Sequence, residues 1–204
     1  RKKVLFERGA ERVEQNNPGR FKYSILSTWS GQDSMQEIFQ HASDFVKNFD
    51  RTRGDSALLL GAVGSGKTEL LFSIGHELIF QKGLDVKIVN VARWIQDLNN
   101  AFFTKERNVD ELVQPLYDAD VVGLIDLGKE SPSEFTRRTL YLLLDWRWQQ
   151  EKSVLADSNS VSWSALKEHY NFDPVMQDAI TSRLGGLVKE NIFILGRDKD
   201  HRLS

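Results

Sequence analysis

The sequence predicts an α/β fold, a five-stranded parallel sheet with helices packed over it. Three observations carry that prediction. Short apolar runs alternate with amphipathic stretches, the pattern of strand–helix–strand units. The chain has 204 residues, 40% of them apolar and 27% charged, which suits one well-packed domain. No internal repeat, heptad run or low-complexity tract competes with this reading.

Residues 1–20 are charged and polar and end in the turn-forming Asn16-Asn17-Pro18-Gly19. They are expected to be a leader, or the tail of a further domain, with the folded domain spanning 21–204. The chain opens on Arg1, so a preceding segment is also expected. In 34–48, Met35, Ile38, Phe39, Ala42, Phe45 and Val46 recur at helical spacing. A polar loop at 51–55 leads into the first apolar run, 56–60. A glycine-rich turn follows, then a helix with Leu71, Ile74 and Leu78 on one face. The second strand is expected at 85–90, with helices at 92–103 and 109–117. The third strand, 120–125, is the most apolar. Pro132 suits the first turn of a helix over 133–149. Strand four is expected at 153–156, helical stretches near 163–170 and 173–188, and strand five at 191–195.

The 27 Lys+Arg against 29 Asp+Glu leave a formal charge of −2, which argues against a generic polyanion binder. The absence of cysteine excludes disulfides, thiolate metal sites and a cysteine nucleophile. No apolar run approaches the roughly 18–20 residues of a membrane span, and Arg1-Lys2-Lys3 leads into no signal-like segment. A cytoplasmic protein is expected. His41, His76, His169 and His201 show no metal-binding spacing, and Trp94, Trp146, Trp148 and Trp163 fall in helical patterns as packing residues.

The sharpest signal is Gly61-Ala62-Val63-Gly64-Ser65-Gly66-Lys67-Thr68, which fits G-x-x-x-x-G-K-[ST] at every fixed position. Glycines let backbone N–H groups curl around a phosphate, and the following helix adds its positive end. Lys67 is expected on the β- and γ-phosphate oxygens and the Thr68 hydroxyl on Mg²⁺. With Glu69, the run forms the expected nucleotide-binding loop. Such a loop needs an acidic partner for the metal, usually at the end of a neighbouring strand. Val121-Val122-Gly123-Leu124-Ile125-Asp126 supplies one, so Asp126 is the expected metal carboxylate.

The run Gly64-Ser65-Gly66-Lys67-Thr68-Glu69-Leu70-Leu71 resembles the AAA+ ATPases of the DnaC/DnaI helicase-loader and IstB group. Arg20-Phe21, Asp126-Leu127-Gly128-Lys129-Glu130, Asp145-Trp146-Arg147 and Ala156-Asp157-Ser158-Asn159 resemble it too. The resemblance covers about 18–204. It implies a P-loop NTPase sheet in the order 5-1-4-3-2, helices on both faces, no C-terminal lid, and ATP with Mg²⁺ as cofactors. It places Asn159 as a sensor of the attacking water or γ-phosphate. It places Arg183 as an arginine finger reaching a neighbouring subunit's ATP. Arg202 falls where related ATPases carry a terminal basic residue, and Arg147 is either a further trans-acting arginine or a helix-end cation.

One departure stands out. The family normally has an acid directly after the metal carboxylate, and here that position is Leu127. Hydrolysis is therefore expected to be weak, with Glu130 the nearest substitute base. The implied function is that of a helicase loader. It would use ATP as an assembly switch to deliver a hexameric replicative helicase to single-stranded DNA, in a bacterium or from a phage. Its partners would be that helicase, single-stranded DNA and further copies of itself. A transposition helper, a small-molecule P-loop kinase and a module holding ATP as a structural ligand are the alternatives.

Overall fold

Five parallel strands form the centre of the molecule, a computed structural model that describes residues 2–16, 19–30, 35–104, 108–131, 133–170 and 179–196. They are β1 (Ala57–Gly61), β2 (Val86–Asn90), β3 (Val121–Leu127), β4 (Ser153–Ser158) and β5 (Ile192–Leu195). Their order is β2-β3-β4-β1-β5, the expected 5-1-4-3-2 read from the other edge. β1 and β4 are fully buried, as strands covered on both faces must be.

Alternation along each strand separates two apolar layers. Leu59, Val121, Leu155 and Phe193 face α1 (Lys2–Gln15), α2 (Gln36–Asn48) and α3 (Lys67–Lys82). Leu58, Leu60, Val122, Leu124 and Val154 face the opposite layer. That layer holds α4 (Val91–Thr104), α5 (Val109–Asp118), α6 (Glu134–Gln149), α7 (Trp163–His169) and α8 (Ala179–Val188). Gly123 explains itself here. A Cβ on it would meet Ile88 at 2.8 Å and Leu71 at 3.2 Å, so only glycine lets α3 lie this close to β3.

Most boundaries shift by a residue or two from expectation. β3 and β4 each run two residues further, because their ends keep pairing: beyond the irregularity after Leu124, Leu127 still pairs with Ser158. The first described residue of α6 is capped by Ser133, whose hydroxyl accepts from the Thr136 amide at 3.1 Å. Pro132 lies outside the described residues, as does the first part of the helix expected over 173–188.

Within residues 1–20, expected as a leader, Lys2–Gln15 form α1, packed against the sheet-flanking α3. Gly9 passes so close to Phe80 that a Cβ would come within 2.6 Å of its ring. Arg12 Nη1 donates to the Gly83 and Leu84 carbonyls at 2.5 and 3.2 Å. Asn16 Oδ1 accepts from the Ile88 amide at 2.8 Å, so this side chain occupies a hydrogen-bonding position on the outer edge of β2.

Arg147 lies in the last turn of α6, the helix-end position that was one of its two expected readings, and is wholly buried. Its guanidinium donates to the carbonyls of Leu116, Ala119, Asp120 and Ser153, at 2.7–3.1 Å. Burial pushes its pKa down to about 10, so it stays charged at neutral pH. It ties the end of α5, the turn into β3 and the start of β4 together, and it has no route to a neighbouring subunit.

Candidate nucleotide site

The loop between β1 and α3 makes three left-handed turns, at Gly61, Gly64 and Gly66, with φ of 149°, 84° and 86°. A Cβ on Gly61 would strike the Leu195 carbonyl at 2.4 Å, and the Gly61 amide donates to the Ser160 carbonyl at 2.9 Å. The ends of β4 and β5 thus clamp the start of the loop. Lys67 is nearly buried, and its Nζ donates to the Ala62 carbonyl at 2.7 Å, inside the curl of the loop. Glycine turns, a folded-back lysine and a helix N-terminus are what an oligophosphate requires.

Beside the loop lies a cleft of about 280 Å³, lined among others by Gly64, Gly66, Lys67, Thr68, Glu69, Asp126 and Asn159. Arg20, Phe21, Ser24 and Ser30 line it as well. Phe21 stacks on Phe72 of α3 with centroids 5.1 Å apart, and the Arg20 guanidinium lies 4.6 Å over the Phe21 ring. The cleft thus joins a flat cation and an aromatic ring to a phosphate loop, surfaces suited to a base and to phosphates.

Asp126 reaches this cleft by an irregularity of β3. Pairing with β4 shifts between Leu124 and Leu127, and Asp126 takes a left-handed φ of 61°, uncommon outside glycine but tolerated by aspartate. Its Oδ2 accepts from Asn90 Nδ2 at 3.0 Å and its Oδ1 pairs with Lys129. The same irregularity sends Leu127 into the apolar layer on the far face, 1% exposed. Position 127 is therefore not a gap in a catalytic set: a carboxylate there would be buried away from the phosphate loop.

Glu130 does not line the cleft. It is 3% exposed; its Oε2 accepts from the Gly128 amide at 2.8 Å and its Oε1 from the Tyr170 hydroxyl at 2.5 Å. Burial, then the Glu130 charge, push the Tyr170 hydroxyl well above its ordinary value, so it remains a proton donor. The geometry gives Glu130 the task of holding the turn after β3 against α7, in place of the base expected from the sequence.

Asn159 lies in the cleft directly after β4. Arg183 is on the far layer, where its Nε donates to Asp145 Oδ1 at 2.5 Å and its guanidinium stacks 4.5 Å over Trp148. The Asp145 hydrogen bond raises its pKa further. Arg202 lies outside the described residues.

Three residues of the site were missed by sequence reasoning. Trp29 is fully buried, and its Nε1 donates to the Gly66 carbonyl at 3.2 Å, bracing the loop from behind. Asn90 orients Asp126. Asp157, one place before the end of β4, is 1% exposed. Its Oδ1 accepts from the Asp126 amide at 2.6 Å, and Oδ2 is buried with no hydrogen-bond partner among the described residues. Burial pushes this carboxyl from 3.8 up to about 6. The Asp126 charge acts in the same direction, against the Asp126 amide, the Thr68 hydroxyl and Lys67. A lone acid in the run Val154-Leu155-Ala156-Asp157 was the signal available in the sequence.

The Bacillus subtilis (strain 168) protein YqaM, described as uncharacterized, is 26% identical over 179 residues, covering 84% of this chain and 54% of YqaM. XkdC, a protein of the phage-like element PBSX of the same strain, is 27% identical over 133 residues, covering 61% of this chain and 48% of XkdC. The chain thus spans about half the length of the curated relatives it matches. Among solved structures, the DnaC helicase loader superposes with a TM-score of 0.69 at 20% identity, covering 87% of this chain and 98% of that one. DnaI gives 0.72 at 22% identity, covering 88% and 93%. The replication initiator DnaA, bound to AMPPCP and single-stranded DNA, gives 0.61 at 18% identity, covering 84% and 49%. These likenesses establish the P-loop NTPase fold. Residues 39–190 match the family described as IstB-like ATP binding protein, and the chain belongs to that family.

Proposed function

We propose that this chain binds ATP with Mg²⁺ and works as an assembly-switched helicase loader, delivering a replicative helicase to single-stranded DNA. One observation carries the ATP reading: Lys67 folded onto the Ala62 carbonyl inside three glycine turns, at the mouth of a cleft shared with Thr68, Asp126 and Asn159. The residues present fit the ligand. Lys67 would exchange its carbonyl for β- and γ-phosphate oxygens, and the loop amides would hold the same phosphates. Thr68 would hold the metal together with an acidic side chain. Arg20 and Phe21 would bound the base. Bound Mg²⁺ supplies positive charge against the phosphates. Asn159 would orient a water toward the γ-phosphate.

The loader reading is supported by the fold shared with the DnaC helicase loader and DnaI. Arg183 would serve a second copy of the chain by leaving Asp145 for that copy's γ-phosphate. The test has two stages. ATP binding is measured by calorimetry for wild type and Lys67→Ala; loss of a charged contact weakens it about ten-fold or more. Co-purification with the replicative helicase is then compared with and without ATP. Equal ATP affinity in both proteins removes the site reading, and ATP-independent or absent helicase capture removes the loader reading.

A further inference from the structure

Asp126 lines the cleft and Asp157, which accepts from its amide, is buried beside it; the surroundings of these two carboxylates divide the work between them. β4 alternates so that Asp157, like Leu155, faces the α3 layer, paired across the sheet with Leu59 of β1. That places it on the face where α3 begins with Lys67 and Thr68, both of which act on its charge. On β3 the last side chain packed toward this face is Ile125, which is apolar. β3 therefore brings no carboxylate to the underside of Thr68 by regular alternation. Asp126, beyond the irregularity, has both oxygens engaged, by Asn90 and by Lys129, and lines the open cleft with Asn159.

We propose that Asp157 is the carboxylate that works with Thr68 on the metal ion of bound Mg·ATP, leaving Asp126 to the open, γ-phosphate side of the cleft. This rests on the ATP reading above. Burying a carboxylate is costly unless its oxygens are matched. Asp157 has one oxygen matched by the Asp126 amide, while the other makes no full hydrogen bond among the described residues and feels the Thr68 hydroxyl and Lys67 only as favourable influences on its charge. The amide needs only a neutral acceptor, which an asparagine or threonine would supply. The second oxygen and the charge call for a cation that arrives with the ligand. The Asp126 amide then acts as the link: the same hydrogen bond that fixes Asp157 also fixes the turn presenting Asp126.

The experiment measures ATP affinity of the full chain with Mg²⁺ and with excess chelator, for wild type, Asp157→Asn and Asp126→Asn. Wild type is expected to bind more tightly with Mg²⁺. Asp157→Asn should lose about ten-fold or more of that metal-dependent gain, with a metal-free affinity that does not fall, since removing a negative charge beside the phosphates favours them. Asp126→Asn should keep most of the metal-dependent gain and lose phosphate release instead. If Asp157→Asn proves unfolded by circular dichroism, the same measurement on Asp157→Thr decides, since a hydroxyl also accepts from the Asp126 amide. A full metal-dependent gain in the Asp157 variant, with ATP bound normally, overturns this proposal and leaves the ATP reading intact. Wild type that binds no ATP under either condition overturns both.

Discussion

Replacing Asp157 by asparagine should make the nucleotide-free protein more stable at neutral pH. Folding raises this carboxyl from 3.8 to about 6, chiefly because it is buried. A group whose folded value lies above its unfolded one holds its proton more tightly when folded. Its contribution is therefore fully present below the unfolded value and is lost as pH climbs through the folded one. Each pH unit between the two is worth about 1.4 kcal/mol, so the ionised side chain costs about 3 kcal/mol at neutral pH. Asparagine keeps an acceptor for the Asp126 amide and removes the charge. Urea unfolding without nucleotide, at about pH 7.5 and about pH 4.5, should show a variant more stable by up to about 3 kcal/mol at the higher pH and a gap that narrows at the lower. For a chain of this size that is about 2–4 °C in Tm per kcal/mol. Adding Mg²⁺ and ATP should shrink or reverse the ranking, because the wild type alone gains the metal contact. A wild type as stable as the variant at neutral pH, or a gap indifferent to pH, would refute the reasoning.

Arg183→Ala should leave the ATP affinity of the isolated subunit unchanged and abolish ATP-dependent association, read by light scattering after size exclusion; normal assembly would make the Asp145 pair purely structural. Arg147→Met should destabilise the fold by about 3–5 kcal/mol in urea, since it strands buried carbonyls at four residues. Glu130→Gln should cost about 1–2 kcal/mol of stability by loosening the Tyr170 contact. Its phosphate release should not fall by the 10²–10⁴-fold expected for a lost general base.

The phosphate loop was legible because close approach to a phosphate dictates residue types at fixed spacings, and Gly61 to Thr68 obey them all. The sheet order came with the resemblance, and the strands with their apolar runs. What alternation alone could not convey was the irregularity after Leu124. It turns Asp126 into the cleft and Leu127 out of it, so counting from the metal carboxylate misplaces the neighbouring roles. The surroundings of Glu130 and Arg147 were hidden for a related reason. Tyr170 in one case and the Leu116, Ala119 and Asp120 carbonyls in the other are far away in sequence. Asp157 was visible as an acid amid apolar residues, but only the sheet register shows that it faces α3.

The match to the family begins at residue 39, whereas the groups that finish the site begin well before it. Trp29 holds the Gly66 carbonyl, Ser30 Oγ donates to Glu69 Oε2 at 2.5 Å, and His76 Nδ1 lies 2.7 Å from the Ser24 carbonyl. Further back, Asn16 occupies a hydrogen-bonding position on β2. A fragment cut at the family boundary would keep every residue of the phosphate motif, yet expose the back of that motif to water and bare an amide on a strand margin. For anyone trimming this chain, the sensible start is ahead of α1: the recognisable part of the sequence is smaller than the part that has to fold together.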